Sequence, residues 1–375
     1  MKRRAGFVAE SGQFADPEFS RQVIAWQRLH GRHGLAWQGT NDPYRIWLSE
    51  VMLQQTQVAA VVPYYLRFLE RFPTVIALAD ADISAVMGLW SGLGYYSRAR
   101  NLHRCAQQIR DEYGGMFPVA AATLATLPGI GRSTAAAIAA FAFGEPAAIL
   151  DGNVKRVFCR VFGIDGYPAA KLVESQLWAR AEALLPERDI GAYTQGLMDL
   201  GATVCTRSRP RCDACPLQMR CVARESGRVA ELPARKPTKP LPERRTEMIV
   251  ALCGDEVLLE QRGPSGIWGG LVSLPEVLHD GPEDQAREAV VQSARAFGRI
   301  GGADPLERVS HGFTHFRLHI RPWLVRVEQK QALCAESVTC DWYSTHALAS
   351  AALPAPVRKL LERVMAARSD QPLPD

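Results

Sequence analysis

The sequence predicts two regions of different fold class, an all-α region over residues 1–228 and an α+β region over residues 247–375, joined by a basic, proline-rich linker at 229–246. Three observations carry this. The chain has 375 residues, enough for two or three domains at roughly 150 residues each. Apolar residues recur at helical spacing through the first region and give way to short β-prone runs in the last. Between them, Pro233, Pro237, Pro240 and Pro242 are interleaved with Arg235, Lys236, Lys239, Arg244 and Arg245, the texture of an extended connector.

Composition narrows the class. Hydrophobic residues make up 47% of the chain and charged residues 22%, ordinary for a globular protein and incompatible with disorder. No apolar run approaches the ~18 residues of a membrane span. Lys2, Arg3 and Arg4 open the chain, but the apolar stretch behind them ends at Glu10, short of the ~7–15 residues of a secretion signal's core, so a cytoplasmic location is expected. The net charge of +5 permits a polyanionic partner without requiring one. Its distribution is sharper: residues 1–228 hold 26 basic and 20 acidic side chains, the linker 5 and 2, and residues 247–375 hold 13 and 17. Positive charge therefore gathers where phosphates would be met.

In chain order, Phe19, Val23, Trp26 and Leu29 form an apolar helix stripe at spacings of four and three. Asp42 followed by Pro43 is a cap and first-turn pair opening the next helix. Glu50 lies on that helix among Ile46, Trp47 and Leu53, a mostly apolar surround that raises a carboxyl pKa until the group can donate a proton near neutrality. Leu127-Pro-Gly-Ile-Gly131 joins a helical stretch to an Ala-rich helix over Ser133–Phe143. Such a turn leaves amides free at a helix N-terminus to bind phosphate; on its own it is more often just a turn. Asp151, in Leu150-Asp-Gly-Asn-Val154, has the surroundings of a helix cap.

Cys205, Cys212, Cys215 and Cys221, spaced Cys-x6-Cys-x2-Cys-x5-Cys, bring four soft ligands to one compact loop. Four thiolates mean zinc or an iron–sulfur cluster, and spacing does not separate the two. Arg207, Arg209, Arg211 and Arg220 stand around the loop, to meet phosphates or simply to offset thiolate charge. Cys105, Cys159, Cys253, Cys334 and Cys340 are scattered and read as packed thiols. Beyond the linker, Met248–Cys253 and Val257–Glu260 read as a hairpin around Gly254 and Asp255, Phe316–Val327 as another strand, and Glu283–Phe297 as a helix.

Taken in order, Trp47-Leu-Ser-Glu-Val-Met-Leu-Gln-Gln-Thr-Gln57, Gly92-Leu-Gly-Tyr-Tyr96, Leu127-Pro-Gly-Ile-Gly-Arg-Ser-Thr134, Leu150-Asp-Gly-Asn-Val-Lys-Arg156 and the four cysteines resemble the MutY adenine DNA glycosylases. These belong to the helix-hairpin-helix family that also includes endonuclease III, and the resemblance spans essentially the whole chain. It implies a helix-hairpin-helix catalytic region over 1–228 with a [4Fe–4S] cluster on the four cysteines, and a Nudix-like domain over 247–375 that recognises 8-oxoguanine. It also implies a monomeric, monofunctional enzyme that removes adenine mispaired with 8-oxoguanine or guanine from double-stranded DNA, initiating base-excision repair.

Residue by residue, the resemblance makes Glu50 the general acid that protonates adenine N7. Asp151 becomes the carboxylate that stabilises positive charge on the deoxyribose, a division of labour like that of glycosidases. Asn153 supports the Asp151 loop. Ser133 stands where the bifunctional endonuclease III branch has a lysine that forms a Schiff base, which a serine cannot do; it is also placed to cap its helix. Trp37, Gln38 and Gln195 line the adenine pocket. Ala36-Trp37-Gln38 departs from the family's usual Pro-Trp followed by Arg or Gln, so no arginine contact to the base is assumed. Gln55, Leu93 and Tyr95 wedge into the duplex, and Gly129 and Gly131 belong to the DNA-binding hairpin.

Gln261-Arg-Gly-Pro-Ser-Gly-Ile-Trp-Gly-Gly270 resembles the Nudix-like domain, yet of the glutamates a Nudix hydrolase needs for Mg²⁺ only Glu288 is in place. A binding module is expected there. Phe313-Thr-His315 matches the family's Phe-Ser-His loop, with Thr314 keeping a hydroxyl for the oxidised base. An endonuclease III-like glycosylase/lyase is the alternative that Ser133 disfavours.

Overall fold

The computed structural model describes residues 14–237, 240–263, 266–279, 282, 285–331, 340–349 and 351–369. The expectations for Lys2–Glu10 and Cys334, and the Glu283 end of one helix, lie outside these residues. The helices are α1 Pro17–His30, α2 Pro43–Leu53, α3 Val58–Arg71, α4 Val75–Ala79, α5 Ile83–Trp90, α6 Ser97–Tyr113, α7 Ala121–Leu124, α8 Arg132–Ile138, α9 Gly152–Val161, α10 Lys171–Ala183, α11 Ile190–Asp199 and α12 Val222–Glu225, followed after the linker by α13 Ala286–Ala294 and α14 Ala355–Ser369. Among the described residues, no helix is long and apolar enough to cross a membrane.

Contacts divide the chain into two units, Met1–Asp80 with Asn101–Thr238, and Ala81–Arg100 with Lys239–Asp375. The segment Ala81–Arg100, helical in sequence pattern like its neighbours, thus belongs with the second unit.

In the first unit, the apolar faces of α1, α9 and α11 make a core that includes Phe19, Val23, Phe158, Leu197 and Leu200. Phe19 meets Phe158 edge-on at 5.9 Å. Leu29, expected on the same stripe, is 76% exposed: the buried face of α1 closes through Trp26 and Gln27, so Leu29 falls on the solvent side. Asp42 caps α2 by accepting from the Tyr44 amide at 2.9 Å, with Pro43 in the first turn.

The expected Ala-rich helix is α-helical only over α8 and continues as a π-helical turn, Ala139–Phe143, that ends at Gly144 in the left-handed region. A second π-turn, Leu200–Val204, extends α11 and brings Gly201 against Asn153 at the start of α9. A Cβ on Gly201 would lie 2.5 Å from Asn153 Cβ and 3.0 Å from the Asn153 carbonyl oxygen. Gly201→Ala should therefore lower stability by about 1–3 kcal/mol through overpacking. The denaturation midpoint checks this; an unchanged midpoint would refute it.

Among the described residues, the second unit contains an eight-stranded sheet of order β3-β2-β1-β7-β5, with β4 on β1, β6 on β7 and β8 on β2. Its strands are β1 Glu243–Cys253, β2 Glu256–Gln261, β3 Val272–Ser273, β4 Glu276–Val277, β5 Gly298–Pro305, β6 Val309–Gly312, β7 Arg317–Lys330 and β8 Cys340–Ser344. The β1–β2 hairpin turns at Gly254 and Asp255 as expected, pairing Cys253 with Glu256. Strand β1 starts at Glu243, inside the stretch read as linker, because its long parallel pairing with β7 begins at Glu243 opposite Arg317. Ala286, Val290 and Ala294 of α13 cover the sheet face carrying Ile249, Ala251, Trp323 and Val325.

Candidate active site

A cleft of about 690 Å³ in the first unit is lined by Arg32, Glu50, Ser133, Asp151, Asn153 and Gln195, among others. A neighbouring cavity of about 450 Å³ shares Trp37, Glu50 and Gln195 with it. Helix α2 brings Glu50 to the cleft on a turn whose other side chains, Ile46, Trp47 and Val51, are buried. Burial, and then the nearby negative charge of Asp151, push the Glu50 carboxyl up to about 7. The proton-donating form expected from the sequence is thus populated near neutrality.

Asp151 is the N-cap of α9 and accepts from the Val154 amide at 2.8 Å. Asn153 Nδ2 donates to its other oxygen at 3.2 Å. Burial raises the Asp151 carboxyl, while the hydrogen bonds from Val154 and Asn153 and the Arg156 guanidinium oppose the rise. Asn153 in turn accepts from Arg156 Nη2 at 2.8 Å, and Arg156 Nε donates to the Cys205 carbonyl at 2.7 Å. The cap is therefore braced from several sides. Ser133 does not cap its helix: Gly131 occupies that place, and Ser133 Oγ accepts from the Leu150 amide at 3.1 Å. This ties the start of α8 to the residue before Asp151.

Trp37 is buried and edge-on to Tyr65 at 5.6 Å. Gln38 lines the smaller cavity, but both ends of its amide are engaged: Nε2 donates to the Arg32 carbonyl at 2.9 Å and Oε1 accepts from the Leu35 amide at 3.0 Å. It braces its own loop rather than offering a free amide to a base. Gln195 Nε2 donates to Asp199 Oδ1 at 2.8 Å.

Sequence reasoning missed Asp199 and Arg32. Asp199 is fully buried and accepts from the Arg32 backbone amide at 2.8 Å and Arg32 Nε at 2.7 Å. The available signal was one acid inside the apolar run Leu197-Met-Asp-Leu200, since such a group is buried only with partners.

Gln55 is exposed at a left-handed turn (φ 58°) after α2. Gly129 has φ 77°, and a Cβ there would lie 2.7 Å from Asn101 Cβ, so the hairpin needs glycine at this position. A Cβ at Gly131 would meet nothing within 4 Å, which leaves open the approach to the α8 amides.

In the second unit, Leu93 is only 7% exposed. The turn closing α5, where the Leu93 amide donates to the Trp90 carbonyl, tucks it inward, so it packs instead of standing out as a wedge. Tyr95, at φ 49°, is 44% exposed. Phe313, Thr314 and His315 form the turn between β6 and β7. Phe313 stacks on Phe316 at 4.4 Å and lies 5.9 Å from Trp268. Thr314 and His315 are exposed, with Thr314 Oγ1 and His315 Nδ1 3.3 Å apart. A cavity of about 680 Å³ gathers this turn with Tyr95, Arg244 and Trp268. Glu288 is an exposed residue of α13.

Cys205, Cys212, Cys215 and Cys221, all half-buried, line one small cavity in the first unit. Arg160 Nη1 donates to Cys205 Sγ at 3.3 Å, and Cys221 Sγ donates to the Arg160 carbonyl at 3.5 Å. Among the described residues, no three His, Cys, Asp or Glu side chains already stand as a set that could hold a metal ion. The convergence and softness of the four donors nonetheless suit a group that fills the space between them.

Residues 48–183 match the HhH-GPD superfamily base excision DNA repair protein family, and residues 247–363 match the NUDIX domain. An adenine DNA glycosylase of Buchnera aphidicola subsp. Acyrthosiphon pisum (strain APS) is 36% identical over 344 residues, covering 92% of this chain and 97% of that one. The adenine DNA glycosylase of Homo sapiens is 34% identical over 369 residues, covering 84% and 67%. A solved structure of a thermostable thymine-DNA glycosylase aligns with a TM-score of 0.51 at 29% identity, over 56% of this chain and 96% of that one. With a helical HhH-GPD region followed by a Nudix-like α+β domain, the chain belongs to the adenine DNA glycosylase family.

Proposed function

We propose that this chain, a hydrolytic DNA N-glycosylase by family, excises adenine paired with 8-oxoguanine or guanine in duplex DNA and leaves an abasic site without cutting the strand. The observation that carries this is the pair of carboxyl groups on one cleft, with Glu50 raised to about 7 beside Asp151. The two groups divide the work through their surroundings.

An adenine turned out of the stack enters the cleft, at an unstacking cost of a few kcal/mol. Glu50, holding its proton at neutral pH, delivers it to N7. The electron pair of the N-glycosidic bond withdraws into the purine, and positive charge develops on the sugar. The Asp151 carboxylate stabilises that charge until water adds at C1′ and returns a proton to the Glu50 carboxylate. Asn153 and Arg156 hold the Asp151 loop. The described lining of the cleft contains no lysine, and nearby Lys155 is engaged with Glu174 at 2.5 Å, so no amine is offered for a Schiff base.

Gln55, Tyr95 and the hairpin at Gly129 and Gly131 are the proposed DNA contacts. Thr314, between Phe313 and His315, is the proposed reader of the oxidised base. Cys205, Cys212, Cys215 and Cys221 would hold a [4Fe–4S] cluster, which when bound cross-links the loop and can accept or give an electron.

The test uses an end-labelled duplex containing adenine opposite 8-oxoguanine. Free adenine should appear, with strand scission only after alkali. Scission without alkali, together with a borohydride-trapped enzyme–DNA adduct, would instead establish a lyase.

A further inference from the structure

We propose that Asp199 is a positioning residue that fixes which end of the Gln195 amide faces the base, so that the site selects a purine carrying an amino group at C6 over one carrying an oxo group. The proposal rests on the adenine-excision reading above and deepens it.

Asp199 is fully buried at the end of α11, one turn after Gln195. Its carboxylate receives three N–H donors: the Arg32 amide at 2.8 Å, Arg32 Nε at 2.7 Å and Gln195 Nε2 at 2.8 Å. The two bonds from Arg32 pin both carboxylate oxygens, so the group cannot rotate away. An ionised carboxylate only accepts. Turning the Gln195 amide over would set its carbonyl oxygen against Asp199 Oδ1, two acceptors at hydrogen-bonding distance with no proton between them. Gln195 is thereby held with Nε2 toward Asp199. Its Oε1 takes no protein donor among the described residues.

Gln195 lines both cavities that Glu50 lines. A purine whose N7 meets the Glu50 proton presents its C6 substituent on the same edge. The amino group of adenine donates to a fixed carbonyl oxygen, whereas the oxo group of hypoxanthine meets it as acceptor against acceptor. Gln38, another amide at the smaller cavity, cannot substitute, because both its ends are occupied in its own loop.

The test compares kcat/KM for adenine and for hypoxanthine release from otherwise identical duplexes. In Asp199→Asn, one oxygen becomes an NH2 that faces an Arg32 donor whichever way it turns, so the acceptor-only anchor is lost and the Gln195 amide is free to face either way. The adenine preference should fall by about tenfold or more, with hypoxanthine release gaining relative to adenine. Equal loss of both activities, leaving the ratio unchanged, would mean a merely structural role and overturn the proposal.

The double variant Gln195→Glu with Asp199→Asn exchanges amide and carboxylate while keeping the hydrogen bond between them. It again presents only acceptor oxygen to the base and should restore the preference, even if Asp199→Asn alone folds poorly. A double variant that folds but shows no adenine preference would also overturn the proposal. A wild-type chain that releases no adenine overturns the parent activity and this proposal with it, an outcome distinct from an unchanged ratio in an active enzyme.

Discussion

Glu50→Gln should abolish most adenine release while making the protein more stable in mild alkali. Loss of a positioned general acid removes about 10²–10⁴-fold in rate, read as single-turnover release at pH 7. The stability effect follows from the direction of the shift. The Glu50 carboxyl titrates about 7 in the fold against an ordinary 4.5. Its folded-state preference for the proton is fully present below 4.5 and is lost as pH rises through 7. Above that, the ionised group sits unfavourably in the protein, by on the order of 3 kcal/mol. Glutamine removes this penalty, so the variant should melt higher than wild type at pH 8 and at the same temperature at pH 4. In the active enzyme, the same titration makes the rate fall about tenfold per pH unit above 7. A rate that stays flat to pH 9 would remove Glu50 from the role of acid.

Asp151→Asn is expected to lose about 10²–10³-fold in kcat with little change in DNA affinity and with the fold kept. Asparagine caps helices about as well as aspartate, so the bond from the Val154 amide is kept and the start of α9 survives. The negative charge opposite the developing cation is lost. A second signature separates this from local disorder. Asp151 is one of the two causes that raise Glu50, so the alkaline limb of the variant's residual activity should move below 7. Activity near the wild-type level would refute the role, and so would an unmoved limb.

Much of this was legible in the sequence where the information is local. Glu50 announced itself by apolar neighbours one turn away, Asp42 and Asp151 by their positions before Pro43 and Gly152, and the β1–β2 turn by Gly254 and Asp255. What escaped depends on residues that are distant in sequence. Arg32 and Asp199 are separated by 167 positions, and no spacing rule connects them. Ser133 looked like a cap because its type and place allow it, but Gly131 holds that place and the serine accepts from Leu150. Leu93 has the chemistry of a wedge, yet a single turn decides whether such a side chain faces water or the interior. Leu29 shows the same limit at a helix end, where a neighbouring Gln27 took the inward position.

Ala81–Arg100 belongs to the same unit as residues 239 onward. Within that unit, Ser91 Oγ donates to the Leu353 carbonyl at 3.1 Å, and Arg100 Nη1 bonds the Gly269 carbonyl. During synthesis the early segment leaves the ribosome long before its partners exist. At ordinary elongation speeds of about 5–20 residues per second, it waits on the order of ten seconds or more before β1 appears. Through that interval Val86, Met87 and Trp90, buried in the finished protein, have no native cover from the sheet's unit. The same discontinuity makes the point of truncation matter: a fragment begun at the linker lacks a piece of its own fold, and its insolubility would say nothing about the intrinsic quality of the sheet.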